Sequence, residues 1–202
     1  MSESLFQPLP REEVVKAVEG KKPCRIPLVQ AKWIGEGLED QYGERLRELD
    51  RYPEDSAYLW CAGPVAPERM GLSWAWEGAG GHDSSCVIDD WAKLDEFLEK
   101  LLEPESDPQF AACVEKAEAA HATGMYVMFG WWRLFFEKPW GLRGMQNLMC
   151  DYYLEKENIH RLHDGICAAY EKYIHAAGRA IHPDGFWTSD DLGRQTGPMM
   201  SP

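Results

Sequence analysis

Four short apolar runs, each set off from the next by a helical stretch, constrain this chain most. They are RIPLVQ (25–30), SAYLWCAG (56–63), MYVMFGWW (125–132) and GFWTSD (185–190). Runs of this length rich in β-branched and aromatic residues read as buried strands. Pro23 and Pro27 put the first of them at the start or edge of a sheet, because proline donates nothing to a ladder.

The intervening stretches carry helix signals. PREEVVKAVEG (10–20) has Pro10 at its start, Glu12 and Glu13 at the positive end of the dipole, and Gly20 at its exit. GLEDQYGERLRELD (37–50), DDWAKLDEFLEKLLE (89–103) and QFAACVEKAEAAHATG (109–124) follow, the last closed by Gly124. Two more helices are expected at 143–153 and 156–180. In the second, Ile159, Leu162, Ile166, Ala169, Tyr173 and Ala177 trace one apolar face. Residues 64–90, with Trp74 and Trp76, read as loop.

Strands alternating with amphipathic helices predict a parallel α/β architecture, either a β/α barrel or a doubly wound sheet. No G-x-G-x-x-G follows the first strand and no Walker-type lysine loop occurs, so neither nucleotide-binding motif is present. By elimination the barrel leads. A closed barrel takes eight strands, and four are visible here, so the expected fold is a TIM-barrel type with only its first four β/α units.

Charge narrows the function classes. The net charge is −13 in 202 residues, which disfavours nucleic acid and anionic membrane surfaces as partners. The longest apolar stretch, 125–132, is too short to span a bilayer. MSESLFQPLPREE lacks a basic segment followed by an apolar run, so no signal peptide is expected. Six scattered cysteines without C-x-x-C suggest reduced, mostly buried thiols and a cytoplasmic protein.

In parallel α/β folds, ligands bind at the carboxyl ends of the strands. Those ends supply Gln30, Lys32 and Trp33; Cys61 with the loop carrying Trp74 and Trp76; Trp131, Trp132 and Arg133; and Ser189, Asp190, Asp191, Arg194 and Gln195. Asp190 and Asp191 are the catalytic candidates. Successive strand residues face opposite sides, so one acid is expected at the mouth and the other as a cap on the next turn or helix. Lys32, Trp33, Trp131, Trp132, Arg133, Ser189, Arg194 and Gln195 are the substrate-binding candidates.

Other features have simpler readings. His160 and His163 have helical spacing but no evident third ligand, so a helix face is expected and no metal set is assigned. Ser189 has no base placed beside it, which leaves a triad unsupported. Trp33, Trp60, Trp91 and Trp187 read as core or shell. Arg143 is expected to order a loop or to pair with Glu137.

At YVMFGWWRLFFEKPWGLRGMQNLMCDYY and at DGFWTSDDLGRQTGPMMSP the chain resembles the uroporphyrinogen decarboxylase-like superfamily, and PREEVVKAVEGKKPCRIPL resembles that family's opening helix and strand. The resemblance implies a β/α barrel of which residues 1–202 form the N-terminal half. It implies a tetrapyrrole or corrinoid-linked substrate, acted on by decarboxylation (a lyase of porphyrin metabolism) or by methyl transfer. Asp190 or Asp191 would then steady a cationic intermediate, because a fixed carboxylate stabilises developing positive charge. No cofactor is evident in the chain itself; the methyltransferase branch implies zinc and a corrinoid in a longer relative. The family's arginine-rich loop is replaced here by VQAKWIGEG, in which Lys32 is the only base. Two other readings stay open: a non-catalytic half-barrel scaffold that pairs with a partner chain or as a homodimer, and a carbohydrate-active barrel.

Overall fold

Elements form where the sequence supplies both a pattern and an end signal. A computed structural model describes residues 7–29, 38–72 and 86–200. Its first helix, α1 (Arg11–Val18), starts after Pro10 and carries Glu12 and Glu13 in its first turn. Gly20 leaves it with φ of 69°. Helix α2 (Leu38–Tyr42) runs into a 3-10 segment, Gly43–Arg51, and strand β1 (Ser56–Trp60) follows. A 3-10 turn (Trp91–Lys93) leads into α3 (Leu94–Glu99), and a second (Pro104–Ser106) precedes α4 (Pro108–Ala122). Strand β2 (Tyr126–Trp131) is followed by three helices, α5 (Glu137–Arg143), α6 (Met145–Leu154) and α7 (Lys156–Ala180). Strand β3 (Gly185–Thr188) and a small antiparallel hairpin, β4 (Gly193–Arg194) with β5 (Gly197–Pro198), complete the described residues.

The main sheet has three strands in the order β1-β2-β3 and is mostly parallel. The central strand, β2, is buried at every position but Met128, which explains its nearly unbroken apolar sequence.

The barrel expectation is overturned. Helices dominate the described residues, and the sheet is small and open, neither a closed barrel nor the first half of one. The expected first strand is the clearest loss. Residues 26–29 form no strand, and Gln30 lies outside the described residues. Pro27 removes a ladder donor, and the Leu28 polar groups are satisfied otherwise. The Leu28 N–H donates to the Asp55 carboxylate at 2.6 Å, and the Asp55 N–H donates to the Leu28 carbonyl at 3.0 Å. The segment is tied down by a carboxylate instead of a ladder.

The described residues divide into two compact units. One is drawn from Met1–Leu59, Glu115–Phe129 and His182–Phe186. Its apolar centre is Leu9, Val14 and Tyr126, with Val15 and Met128 packed against them. Asp55, fully buried, is its polar centre: it accepts from the Leu9 and Leu28 N–H groups and pairs with both terminal nitrogens of Arg25. Burial alone would raise the Asp55 carboxyl. Arg25 and the two backbone donors outweigh burial and hold it below the usual range. Asp184 plays a lesser version of this part, joining Arg11 at 2.6 Å and the Val127 N–H at 2.9 Å.

The other unit is drawn from Trp60–Val114, Gly130–Ile181 and Trp187–Pro202. The α7 stripe read from the sequence (Ile159, Leu162, Ile166, Ala169, Tyr173 and Ala177) is buried throughout. Gly165 lies against the Leu98 side chain with no room for a methyl, so α3 and α7 meet closely there. Phe136, Leu148 and Ile159 form a further cluster, with Met199 and Met200 packed on it. Asp107 is a second buried acid, accepting from Arg69, the Tyr173 hydroxyl (2.7 Å) and the Gln109 N–H (2.7 Å).

Arg143 differs from its expected pairing. It is buried and binds Asp151 of α6 at 2.8 Å, donates to the Ile88 carbonyl, and lies 4.3 Å over the Trp91 ring. Glu137 has Arg133 beside it instead. The thiols also depart from expectation: Cys61 and Cys113 are buried, but Cys24, Cys150 and Cys167 are exposed.

Candidate functional site

The carboxyl end of β2 and the segment after β3 bring several of the expected site residues together within one unit. Trp131 ends β2 inside the core, 3% exposed, with its ring edge-on to Tyr170 at 5.1 Å. Gly63 makes this fit possible. Its φ is 75°, and a Cβ there would stand 2.7 Å from the Trp131 ring. Trp132, the next residue, faces the other way: it is 48% exposed and stands edge-to-face on Trp187 at 5.0 Å.

Arg133 follows with φ of 63°, a left-handed backbone that a long side chain rarely adopts. Two neighbours hold it there. Its N–H donates to the Ser189 hydroxyl and its carbonyl accepts from the Tyr170 hydroxyl, each at 3.4 Å. The guanidinium is about half exposed and loosely paired, 3.8 Å from Glu137. Burial raises the Glu137 carboxyl, against the pull of Arg133.

The paired acids are committed to backbone. The Asp190 carboxylate accepts from the N–H groups of Phe135 (2.7 Å), Phe136 (2.7 Å) and Glu137 (2.8 Å), at the start of α5. Asp191 accepts from the Gly193 N–H at 3.1 Å, and its own N–H donates to Glu137 at 3.2 Å. The expected split between a mouth acid and a cap acid thus becomes one helix-start carboxylate and one turn carboxylate. Gln195 lies exposed in the turn between β4 and β5, and Arg194 ends β4, its backbone paired with Gly197. Lys32, Trp33, Trp74 and Trp76 lie outside the described residues.

One group at this end was not singled out in the sequence. Lys138, second residue of α5, sends its ammonium to the Val65 carbonyl at 2.8 Å. Burial lowers it to about 8, and the nearby Arg133 acts in the same direction; Cys61, Glu137 and Glu68 oppose them. Cys61 is itself buried, and its thiol is pushed up to about 12. The available signal was the apolar run LFF immediately before Glu137 and Lys138, of which Phe136 is buried.

Elsewhere in this unit, His163 has a buried Nε2 without a hydrogen-bond partner and stacks at a tilt near Tyr152. Burial lowers its imidazole. No cluster of three metal-ligating side chains occurs among the described residues. No helix among them is long and apolar enough to cross a membrane.

Comparison with family models, curated proteins and solved structures returned no match. The resemblance to the uroporphyrinogen decarboxylase-like superfamily is therefore set aside, since neither homology nor fold supports it. The functions that rested on it fall as well: tetrapyrrole decarboxylation and corrinoid-linked methyl transfer. The half-barrel scaffold and the carbohydrate-active barrel fall with the barrel itself.

Proposed function

We propose that the chain binds a small planar organic anion at the carboxyl end of β2, with Arg133 holding the charge and Trp132 supplying the flat wall. The left-handed backbone of Arg133 carries this reading. A non-glycine residue there costs on the order of 1–3 kcal/mol and persists only when its surroundings fix it. Ser189 and Tyr170 supply that fixation.

The result is a half-exposed guanidinium whose only ion-pair partner among the described residues is 3.8 Å away. A guanidinium offers a fork of donors matched to a carboxylate, and a closer anion would be the stronger partner. The exposed ring of Trp132, braced by Trp187, gives a planar ligand a face at low entropic cost. Asp190 acts at one remove, fixing the backbone from Phe135 to Glu137 on which the guanidinium's neighbour sits. The global charge of −13 opposes anion entry, so local geometry must supply the attraction.

The test is a tryptophan-fluorescence titration with benzoate, alongside its neutral analogue benzyl alcohol. Saturable binding of benzoate alone is expected, weakened about tenfold or more in Arg133→Gln, as the loss of a charge-assisted bond implies. Equal affinity in wild type and Arg133→Gln overturns the proposal.

A further inference from the structure

Glu137 is the side chain that a ligand of Arg133 must meet. Its Oε1 lies 3.8 Å from the Arg133 Nε, an ion pair too long to be a hydrogen bond. To swing aside, the carboxylate would have to give up the Asp191 N–H, which donates to Oε2 at 3.2 Å. Its backbone is gripped as well, the Glu137 N–H donating to Asp190 at 2.8 Å. The Glu137 side chain is 19% exposed against 44% for Arg133. The guanidinium is thus the open member of the pair and the carboxylate the sheltered one.

An anion that reaches the guanidinium from solvent finds a held negative charge on its inner side. Two carboxylates sharing one guanidinium stand on the order of 4–6 Å apart, the range over which each disfavours charge on the other. At about 4 Å the repulsion weakens binding about fivefold even at the dielectric of water, and more in a half-buried setting. The neighbours add to it. Asp190 and Asp191 both oppose a charge on Glu137, against the Arg133 guanidinium and the Asp191 N–H. Lys138, next along α5, interacts with the Glu137 charge but turns its ammonium to the Val65 carbonyl. From α7, His163 feels Asp190. A ligand on Arg133 therefore shares the positive charge that keeps Glu137 ionised and brings a further negative one.

We infer that Glu137 is a built-in competitor for Arg133, and that an organic anion binds there together with one proton, which Glu137 takes from solvent. With that proton on Oε1, the carboxyl keeps Oε2 as acceptor for the Asp191 N–H and gains a hydroxyl donor toward the ligand carboxylate. Glu137 is ionised in the empty site and neutral in the filled one, so affinity rises as pH falls. The site fills in mildly acidic solution and is held back at neutral pH. This competition presupposes the anion-binding reading of Arg133.

The experiment repeats the benzoate titration at about pH 7.5, 6.5 and 5.5 on wild type and Glu137→Gln, all above benzoate's own carboxyl range near about 4. Glutamine keeps an acceptor oxygen for the Asp191 N–H and does not titrate. Wild-type affinity is expected to rise at least about fivefold from the highest pH to the lowest. Glu137→Gln is expected to bind at least about fivefold tighter than wild type at the highest pH, with a flat profile. A rise of equal size in Glu137→Gln assigns the proton to another group, such as His163, and overturns the competitor while keeping the anion site. Equal affinities in the two chains at every pH, with binding still lost in Arg133→Gln, do the same. Saturable binding in neither chain removes the anion site and the competitor together. Calorimetry on wild type at about pH 6, in two buffers of different ionisation enthalpy, counts the proton without any variant. Uptake of about a third of a proton or more per benzoate is expected, and none overturns the competitor.

Discussion

At the scale of single residues, the acids that draw the eye in the sequence act on backbone. Asp190 receives three N–H groups that the start of α5 leaves without helical partners, and Asp191 receives one in a turn. Removing a helix-start acceptor of this kind typically costs about 0.5–2 kcal/mol. Asp190→Ala should therefore lower the unfolding free energy by about 1–2 kcal/mol in urea denaturation, and Asp191→Ala by less than about 0.5 kcal/mol. Equal, negligible losses would mean that Asp190 does not hold the start of α5. This role was beyond sequence reasoning because Asp190 caps a helix that begins 53 residues earlier in the chain. Capping signals read along a sequence are local, and this one is not. Lys138 was missed for a related reason: burial of a charge shows only when the carbonyl it reaches, 73 residues away, is in place.

At the scale of elements, helix α7 and strand β2 were the most legible parts. A stripe repeated over 25 residues leaves one face to bury, and a nearly unbroken apolar run leaves a strand no solvent side. The segment 25–30 failed because the same apolar letters can be satisfied without a ladder. Pro27 weakened the strand, and Asp55, some 27 positions on, took the polar groups of Leu28. The joint between α5 and α6 shows the same limit. Arg143 joins Asp151 across a turn marked by Gly144 at φ 76°, and both side chains are under a tenth exposed. Truncating one member of such a pair leaves a buried charge unpaired, at a cost of about 3–5 kcal/mol. Arg143→Met should show a loss of that size by chemical denaturation, and Arg143→Met with Asp151→Leu should recover most of it. A loss below about 1 kcal/mol would place the pair among weak surface contacts.

At the scale of the whole molecule, each of the two units contains an almost fully buried aspartate held by an arginine and backbone donors, Asp55 in one and Asp107 in the other. For both, burial pushes the carboxyl up. Arg25 with two backbone donors, and Arg69 with Tyr173 and Gln109, pull it further down. A folded value below the unfolded one means the unfolded chain takes up protons first as the solution is acidified. The stabilisation is therefore complete above the ordinary carboxylate value of about 4 and is lost as pH falls through the lower folded values. Urea midpoints should hold nearly level down to about pH 5 and then drop steeply below about pH 4, more steeply in wild type than in Asp107→Asn. An unchanged acid slope in that variant would contradict the role given to Asp107.

The central claim, an anion held by Arg133 against the Trp132 ring, is tested most directly by watching the indole and guanidinium N–H signals of the chain in a two-dimensional NMR titration with benzoate. The predicted result is a saturable shift of Trp132, Trp187 and the Arg133 Nε–H, while Trp91 and Trp140, whose ring nitrogens are buried, stay in place. Shifts confined to other residues, or none at concentrations that saturate the fluorescence, would contradict it.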